Sequence, residues 1–403
     1  MAIEQRDVLV IGAGPVGMTA ALALAKEGIQ ATIIEADPQN RERAGSRAIY
    51  IHKATLELLE DISTGLGFKL AEIGIVWPVK RTLYKGDNIY KRVYEPPKPN
   101  TLPAFSSLHQ HEIEKALYAA CLAAGVEFRW NEPVSEAKTT ETGITITTNQ
   151  NEWHAQYAIA ADGSRSVVRQ SLNIKFEGPR TSDTFVVVDV KEDKNNPLPI
   201  ERIFHYQHPL VDGRNVMYVP FAGGWRLDLQ LLEGDDKEYF GSEDGVREWL
   251  PKVFPASYAE NITWISTYTF YQVVAETYTD GHARIVLAGE AAHLFAPFGA
   301  RGLNSGVPDA IIAARGIVTA LRIEDKTVAK EAVLAAANER LYAGQYNREC
   351  SNLALEHIQG TSEDIRLKRE ISAFLAPHIP ALGKWLDEGP FGPRSGPTLT
   401  TKY

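Results

Sequence analysis

The chain of 403 residues carries 42 basic and 51 acidic side chains, a formal charge of −9, and 44% of its residues are hydrophobic. That is enough apolar sequence for a large core and for two interleaved domains, and it offers no basic face to a phosphate backbone, so no nucleic-acid partner is expected. Cys121 and Cys350 sit in helix-like stretches without metal spacing, no signal-peptide pattern precedes the first strand, and no apolar run reaches the roughly eighteen residues of a membrane span, so a reduced, cytoplasmic protein without a metal is expected.

The first element is a short apolar strand, Val8 to Ile11, delivering the chain to Gly12-Ala13-Gly14-Pro15-Val16-Gly17. Gly12 suits a tight turn and Gly14 lets the backbone approach a pyrophosphate. Gly17 lets the helix Met18 to Lys26 pack close to the strand with its unpaired N–H groups toward the phosphates. Gly28 stops the helix, and a second strand ends in Glu35, an acid placed to accept hydrogen bonds from ribose hydroxyls. Strand, glycines, helix, strand and acid in this register predict a dinucleotide site within residues 5 to 37.

Helical apolar spacing (Leu108, Ile113, Leu117, Ala120, Cys121) follows in Ser107 to Gly125, then a strand at Val126 to Trp130. The run Tyr157 to Ala161 ends in Asp162-Gly163, where a short acid and a glycine at a strand's end let backbone and carboxylate approach a cofactor. Arg165 and Arg169 read as local bridging groups.

From about 181 to 275 alternating patterns dominate: Thr184 to Val190, Arg202 to Tyr206, Asn215 to Pro220, Trp225 to Leu231 and Thr263 to Tyr271. They predict an antiparallel sheet, with a connecting helix at Gly245 to Val253. Alternation puts Trp225, Leu227 and Leu229 on one face and Arg226, Asp228 and Gln230 on the other. Arg226 and Tyr218 are candidates to face a polar aromatic substrate. The histidines lack a fourth ligand at metal spacing, so metal ligands: none.

A third apolar run, Arg284 to Ala288, leads into Gly289-Glu290-Ala291-Ala292-His293 and on through Pro297 to Gly306. His293 reads as a packed structural group. The loop delivers a helix N-terminus near Gly302, Leu303 and Asn304, whose backbone N–H groups and dipole favour negative charge nearby. Residues 307 to 390 are mainly helical, and Gly389 to Tyr403, rich in Gly, Pro and Thr, reads as a loosely packed tail.

The glycine turn, the Asp162-Gly163 segment and the Gly289-Glu290 segment, in this order and at about this spacing, resemble the three fingerprints of the flavoprotein aromatic hydroxylases, the single-component FAD monooxygenases of the para-hydroxybenzoate hydroxylase type. The resemblance runs from residue 7 to about 320. It implies an α/β fold in which a Rossmann-like FAD-binding domain (1–180 and 276–330, with an inserted segment 75–105 near the substrate domain) interleaves with an antiparallel-sheet substrate domain (181–275). C-terminal helices (331–390) and a tail (391–403) follow.

The implied FAD contacts are Gly12, Gly14, Pro15, Val16, Gly17, Glu35, Arg47, Gln110, Asp162, Gly163, Gly289, Glu290, Pro297, Gly302, Leu303 and Asn304. Pro297 is also a substrate-site candidate. Arg47 would pair with a cofactor phosphate or a moving flavin, and Glu290 stands where relatives have an aspartate on a ribityl hydroxyl. Pro308, Ile312 and Arg315-Gly316 depart from the family pattern and put the packing of that helix in question. The implied activity is NADH- or NADPH-dependent hydroxylation of an aromatic, phenolic small molecule by O2 through a flavin hydroperoxide. The donor binds transiently, a homodimer is allowed for, and no acid–base side chain is demanded. The alternatives are an FAD-dependent reductase or dehydrogenase on the same fold, or a flavin-binding protein without activity.

Overall fold

The computed structural model describes residues 2–41 and 50–393. The glycine turn belongs to a sheet in which Glu127–Arg129, Ala31–Ile34, Ala2–Ile11 and Asn151–Ala160 lie side by side in parallel. The far half of Asn151–Ala160 also pairs in parallel with Ile285–Leu287, and its near half turns back against Ile144–Thr148 and then Val134–Thr139. That antiparallel hairpin was not singled out in the sequence. Val8 to Ile11 and Ala158 to Ala160 are buried throughout, the unbroken apolar pattern of strands covered on both faces. Helix Pro15–Lys26 packs on this sheet against Arg301–Leu321 and Gln110–Ala123.

The second sheet has the order Ile262–Tyr271, Arg180–Lys191, Gly224–Gln230, Arg214–Phe221, Glu201–His208, Val79–Tyr84, Asp87–Val93. Residues 79–93, within the inserted segment, are two of its strands. Val79–Tyr84 runs parallel to Glu201–His208, so the sheet is mixed rather than purely antiparallel as expected. The long connection between those two strands makes a parallel pairing sterically available, which a hairpin would not. One face is sealed by helix Glu243–Val253 and its following turn, around Val186, Val188, Trp225, Leu227, Tyr218, Trp249 and Phe254. The other face looks toward the first sheet's loops and the C-terminal helices Lys326–Gln359, Glu363–Leu375 and Pro380–Glu388.

Two departures from the family pattern acquire a physical meaning here. Pro308 is the eighth residue of Arg301–Leu321, beyond the first turn, yet the helix runs on unbroken to Leu321. The missing N–H removes one intrahelical bond without ending the element. At Gly316 a Cβ would stand 2.6 Å from the Ala336 methyl, so the glycine sets how closely the helix Lys326–Gln359 approaches. That 34-residue helix runs without interruption across the expected boundary at 330.

The tail also differs from expectation at its start. Gly389–Phe391 is a 3-10 turn, and the Phe391 ring lies under the Lys80 ammonium at 4.0 Å and the Arg202 guanidinium at 4.5 Å. The composition of this stretch concealed an aromatic anchor.

Candidate functional site

The three glycine-bearing segments converge at the carboxyl ends of the parallel strands. A Cβ at Gly12 would collide with the Ala161 carbonyl oxygen, and one at Gly17 with the Gly12 carbonyl oxygen. The turn is thus pressed against the end of Asn151–Ala160, beside Asp162. Val16 fills the space between Gly289 and Gly306, where added Cβ atoms would lie 2.9 and 2.6 Å from its Cγ2. Val16 therefore locks the first segment to the third by packing.

Other positions are open. At Gly14, Gly163 and Gly302 none of the described residues beyond the chain neighbours lies within 4 Å of where a Cβ would stand. Neither Pro15–Lys26 nor Arg301–Leu321 has a side-chain cap at its N-terminus. Asp162 Oδ1 is buried with no hydrogen-bond partner among the described residues, while Oδ2 accepts from Val168 N at 3.2 Å. Burial pushes the Asp162 carboxyl upward despite those N–H contacts. Open glycines, two uncapped helix starts and an unsatisfied carboxylate oxygen along one groove fit an extended, anionic dinucleotide such as FAD.

Glu35 is buried at the end of its strand. Its Oε2 accepts from Ala13 N at 2.6 Å, and its Oε1 accepts from Asp37 N at 3.0 Å and meets Arg41 Nη1 at 2.9 Å. The acid reaches back to the glycine turn, and a ribose would share it with these donors. Gln110 opens its helix with Nε2 on Glu114 Oε1 at 2.8 Å. Arg47 lies outside the described residues. Glu290 is half-buried in the turn Gly289–Ala291, and Pro297 is exposed at the loop before the third segment's helix.

The expectation for Asn304 needs correction. Helix geometry begins at Arg301, so the N–H groups left over are those of Arg301, Gly302 and Leu303, while that of Asn304 falls within the helical ladder. Its buried side chain is a staple instead. Oδ1 accepts from His52 N at 2.9 Å, and Nδ2 donates to Tyr50 O at 3.0 Å and Ala300 O at 2.7 Å. Asn304 thereby ties the segment that follows 42–49 to the loop that starts the helix.

Several supporting groups were not legible in advance. Asp309 Oδ2 accepts from Gly289 N at 3.1 Å and sits 2.7 Å from His293 Nε2, while Oδ1 accepts from Arg340 Nε at 2.8 Å. Burial would raise the Asp309 carboxyl, but Arg340 and His293 more than offset it and hold it below the usual carboxylate range. His293 is thus the packed group its sequence context suggested, stacked on Phe295 at 4.4 Å. Arg301, also buried, donates to Asn347 Oδ1 at 2.8 Å and to the carbonyls of Phe391 and Pro393 at 3.0 and 2.6 Å. Asp309 lies on one helix and Arg340 and Asn347 on the next, in unremarkable helical patterns, so only the packing of the two helices brings these groups to the site.

The face of the second sheet that looks toward this groove is mixed. Arg226 forms a two-pronged ion pair with Asp189 on the neighbouring strand, 2.8 Å at each prong, with the guanidinium 5.3 Å from the Trp264 ring. Asp228 lies on the same face, opposite Val187 and Met217. Its Oδ1 is buried and has no hydrogen-bond partner among the described residues. Burial, reinforced by Asp189 and only partly opposed by Arg226 and Arg202, pushes its carboxyl up to about 7. Aromatic clusters flank this polar centre. Trp77 and Tyr50 lie 4.2 and 4.8 Å from Phe105 on one side, with Phe221 in the same cluster; on the other, Phe298 meets Phe185 at 5.1 Å.

Tyr218 is not part of that surface. Register pairs it with Leu227, so it points to the opposite face, where it stacks on Phe254 at 5.8 Å with planes 17° apart. Period-two alternation had separated Arg226 from Leu227, but the strand register, which decides where Tyr218 goes, depends on pairing that single-strand patterns do not carry.

A glycine-lined dinucleotide cradle and an aromatic-walled sheet face fit an FAD-binding flavoprotein, and comparison with known proteins agrees. Residues 5–343 match the FAD binding domain family, and the chain belongs to that family. It is 28% identical over 329 residues to para-nitrophenol 4-monooxygenase of Pseudomonas sp. (strain WBC-3), the alignment covering 78% of each chain. It is 26% identical over 319 residues to a dialkyldecalin synthase of Streptomyces rugosporus, covering 75% of this chain and 63% of that one. In fold it is similar to the crystal structure of p-nitrophenol 4-monooxygenase from Pseudomonas putida DLL-E4, with TM-score 0.77, 22% identity, and 98% and 100% of the two chains covered. The reading as a flavoprotein of the aromatic monooxygenase class, using FAD, NAD(P)H and O2, is borne out by the family match and by the likeness to para-nitrophenol 4-monooxygenase. Among the described residues no helix is long and apolar enough to cross a membrane.

Proposed function

We propose that this protein is an FAD-dependent monooxygenase that hydroxylates a phenol, with NADH or NADPH as a transient electron donor. The observation that carries this reading is the Arg226, Asp189 and Asp228 centre, set between two aromatic clusters on the sheet face opposite the cofactor cradle. FAD, when bound, supplies electron transfer from the nicotinamide and activation of O2.

The chain's own contribution is binding, orientation and exclusion of water. Gly14 and the start of Pro15–Lys26 would accept the pyrophosphate, Glu35 the adenosine ribose, and Glu290 with Asp162 and Gly163 the linking portion. The N–H groups of Arg301, Gly302 and Leu303 would stabilise negative charge on the ring edge facing them. Phe105, Trp77, Tyr50, Phe221, Phe298 and Phe185 would hold an aromatic ring and keep bulk water from the reacting carbon. Arg47, Gln110 and Pro297 belong to the same proposal as cofactor or loop contacts. A cytoplasmic setting suits the two buried free cysteines. Assembly as a monomer or a homodimer is read by sedimentation.

The synthase among the relatives gives weight to a second reading, since by name it is not a hydroxylase. The deciding experiment is NAD(P)H oxidation in air by the FAD-loaded protein, with and without a panel of phenols, followed by product mass. A phenol that accelerates oxidation and gains one oxygen supports the proposal. Oxidation indifferent to every phenol, with no hydroxylated product, assigns the chain to reductase or other flavin chemistry.

A further inference from the structure

Two consecutive residues just before the helix Arg301–Leu321 stand in the left-handed backbone region, Gly299 at φ +79° and Ala300 at φ +54°. For alanine that conformation is costly and persists only where the surroundings impose it. Both lie in the turn Pro297–Ala300, where Ala300 N donates to Pro297 O at 2.9 Å. They set the direction in which the chain enters the helix, and with it the aim of the N–H groups of Arg301, Gly302 and Leu303.

The turn is gripped from two sides. On one, His52 Nε2 lies 3.1 Å from Gly299 O, and Asn304 Nδ2 donates to Ala300 O. On the other stand Phe391 and Pro393. A Cβ at Gly299 would come within 2.7 Å of the Phe391 carbonyl oxygen. That oxygen and the Pro393 carbonyl accept from Arg301 Nη2 at 3.0 and 2.6 Å, while Arg301 Nη1 donates to Asn347 Oδ1. Arg301 is 2% exposed, so these neutral oxygens solvate its charge in place of water.

Phe391 is itself anchored. Its ring lies under Lys80 and Arg202, which stand side by side in register on the second sheet. Gly392 takes φ +64° with ψ −174°, a bend essentially reserved for glycine, and a Cβ there would collide with the Cys350 carbonyl oxygen. A loosely packed chain end needs neither a ring held by two cations nor such a bend. Residues 389–393 form a strap from the second sheet to the start of the helix Arg301–Leu321.

Resting on the reading that the flavin ring edge faces Arg301, Gly302 and Leu303, we propose that Phe391 is a positioning residue for the flavin. Its carbonyl and that of Pro393, acting on Arg301, hold the Gly299–Ala300 turn and keep those N–H groups aimed at the ring edge. The consequence falls on reduced flavin, because the N–H groups favour the negative charge that reduction brings to that edge. The aim also depends on the second sheet, since the Phe391 ring rides on Lys80 and Arg202.

The test measures the two-electron midpoint potential of FAD bound to the full chain, against dyes of known potential. Phe391→Ala removes the ring and Gly392→Ala blocks the bend. Each should cost about tenfold in preference for reduced over oxidised flavin, a potential about 30 mV more negative than wild type. Phe391→Tyr, which keeps the aromatic face, should keep the wild-type potential. Arg301→Lys keeps the charge but cannot serve all three oxygens, so it should shift the potential the same way and decides the matter should the strap variants fail to fold. A role in stability alone would lower the melting temperature of Phe391→Ala and leave the potential unmoved. Wild-type potentials in the Phe391→Ala and Gly392→Ala proteins, or in Arg301→Lys where those do not fold, overturn the proposal, as does a Phe391→Tyr shift as large as that of Phe391→Ala. If phenols still accelerate NAD(P)H oxidation in that case, the hydroxylase reading stands without the strap. If wild type takes up no FAD, both fall.

Discussion

Arg226 and Asp189, on adjacent strands of the second sheet, meet through two parallel 2.8 Å hydrogen bonds, with the carboxylate fully buried and the guanidinium nearly so. A pair of this kind adds little net stability over an apolar substitute, but removing one member strands the other. Asp189→Ala should therefore destabilise the protein by about 3 to 5 kcal/mol in urea titration. The double variant Asp189→Ala with Arg226→Met should recover much of that loss. Equal losses in single and double variants would show that the charge of Arg226 is compensated elsewhere.

Gly14 supplies a cleaner probe of the cradle. Its backbone, φ −75° and ψ 177°, is one any residue adopts, and none of the described residues stands where an alanine methyl would go. Gly14→Ala should leave the FAD-free protein as stable or about 0.4 to 1 kcal/mol more stable. It should weaken FAD binding, read by fluorescence titration, because the pyrophosphate loses its close approach. Unchanged FAD affinity would place the cofactor elsewhere.

Asn304→Ala removes its hydrogen bonds with the N–H of His52 and the carbonyl of Tyr50, both half-buried, a cost of about 0.5 to 1.5 kcal/mol for each. Thermal melts should fall accordingly, and FAD affinity should fall with them because the loop that starts the helix Arg301–Leu321 loses its tie. A variant with wild-type FAD affinity would reduce Asn304 to a stability role alone.

These staples also show what could be read from the sequence. The nucleotide unit was legible because glycines pressed against a strand, a helix start and an acid have a fixed order along one short stretch. Five of the second sheet's strands were legible from alternation, while Val79–Tyr84 and Asp87–Val93 were not read as strands. The parallel pairing of Val79–Tyr84, the far side of Tyr218 and the Asp309, Arg340 and His293 cluster were not. Each depends on which distant segment becomes a neighbour, and no local pattern records that. The Phe391 anchor was hidden by flanking glycines and prolines that signalled only a loose chain end.

Acid and alkali should act on different carboxyls. Asp309 is held below its unfolded value, so its contribution is present above an unfolded pKa of about 3.9 and is lost as pH falls through the folded value. Asp228 is the reverse case. Its carboxyl is raised to about 7, so the native state binds the extra proton, and stability falls as pH rises from about 4 through about 7. Asp228→Asn should lack that decline, becoming more stable than wild type near pH 8 in urea titrations. Parallel pH profiles for the two proteins would contradict the burial-driven shift.

The central claim is that this flavoprotein inserts oxygen into a phenol. The most direct measurement supplies FAD-loaded protein with NADH or NADPH, the phenol that most accelerates oxidation, and isotopically labelled dioxygen, and weighs the product. The account predicts a hydroxylated ring carrying one labelled oxygen atom, with one nicotinamide oxidised per product. Nicotinamide oxidation with an unlabelled or unaltered phenol would contradict it.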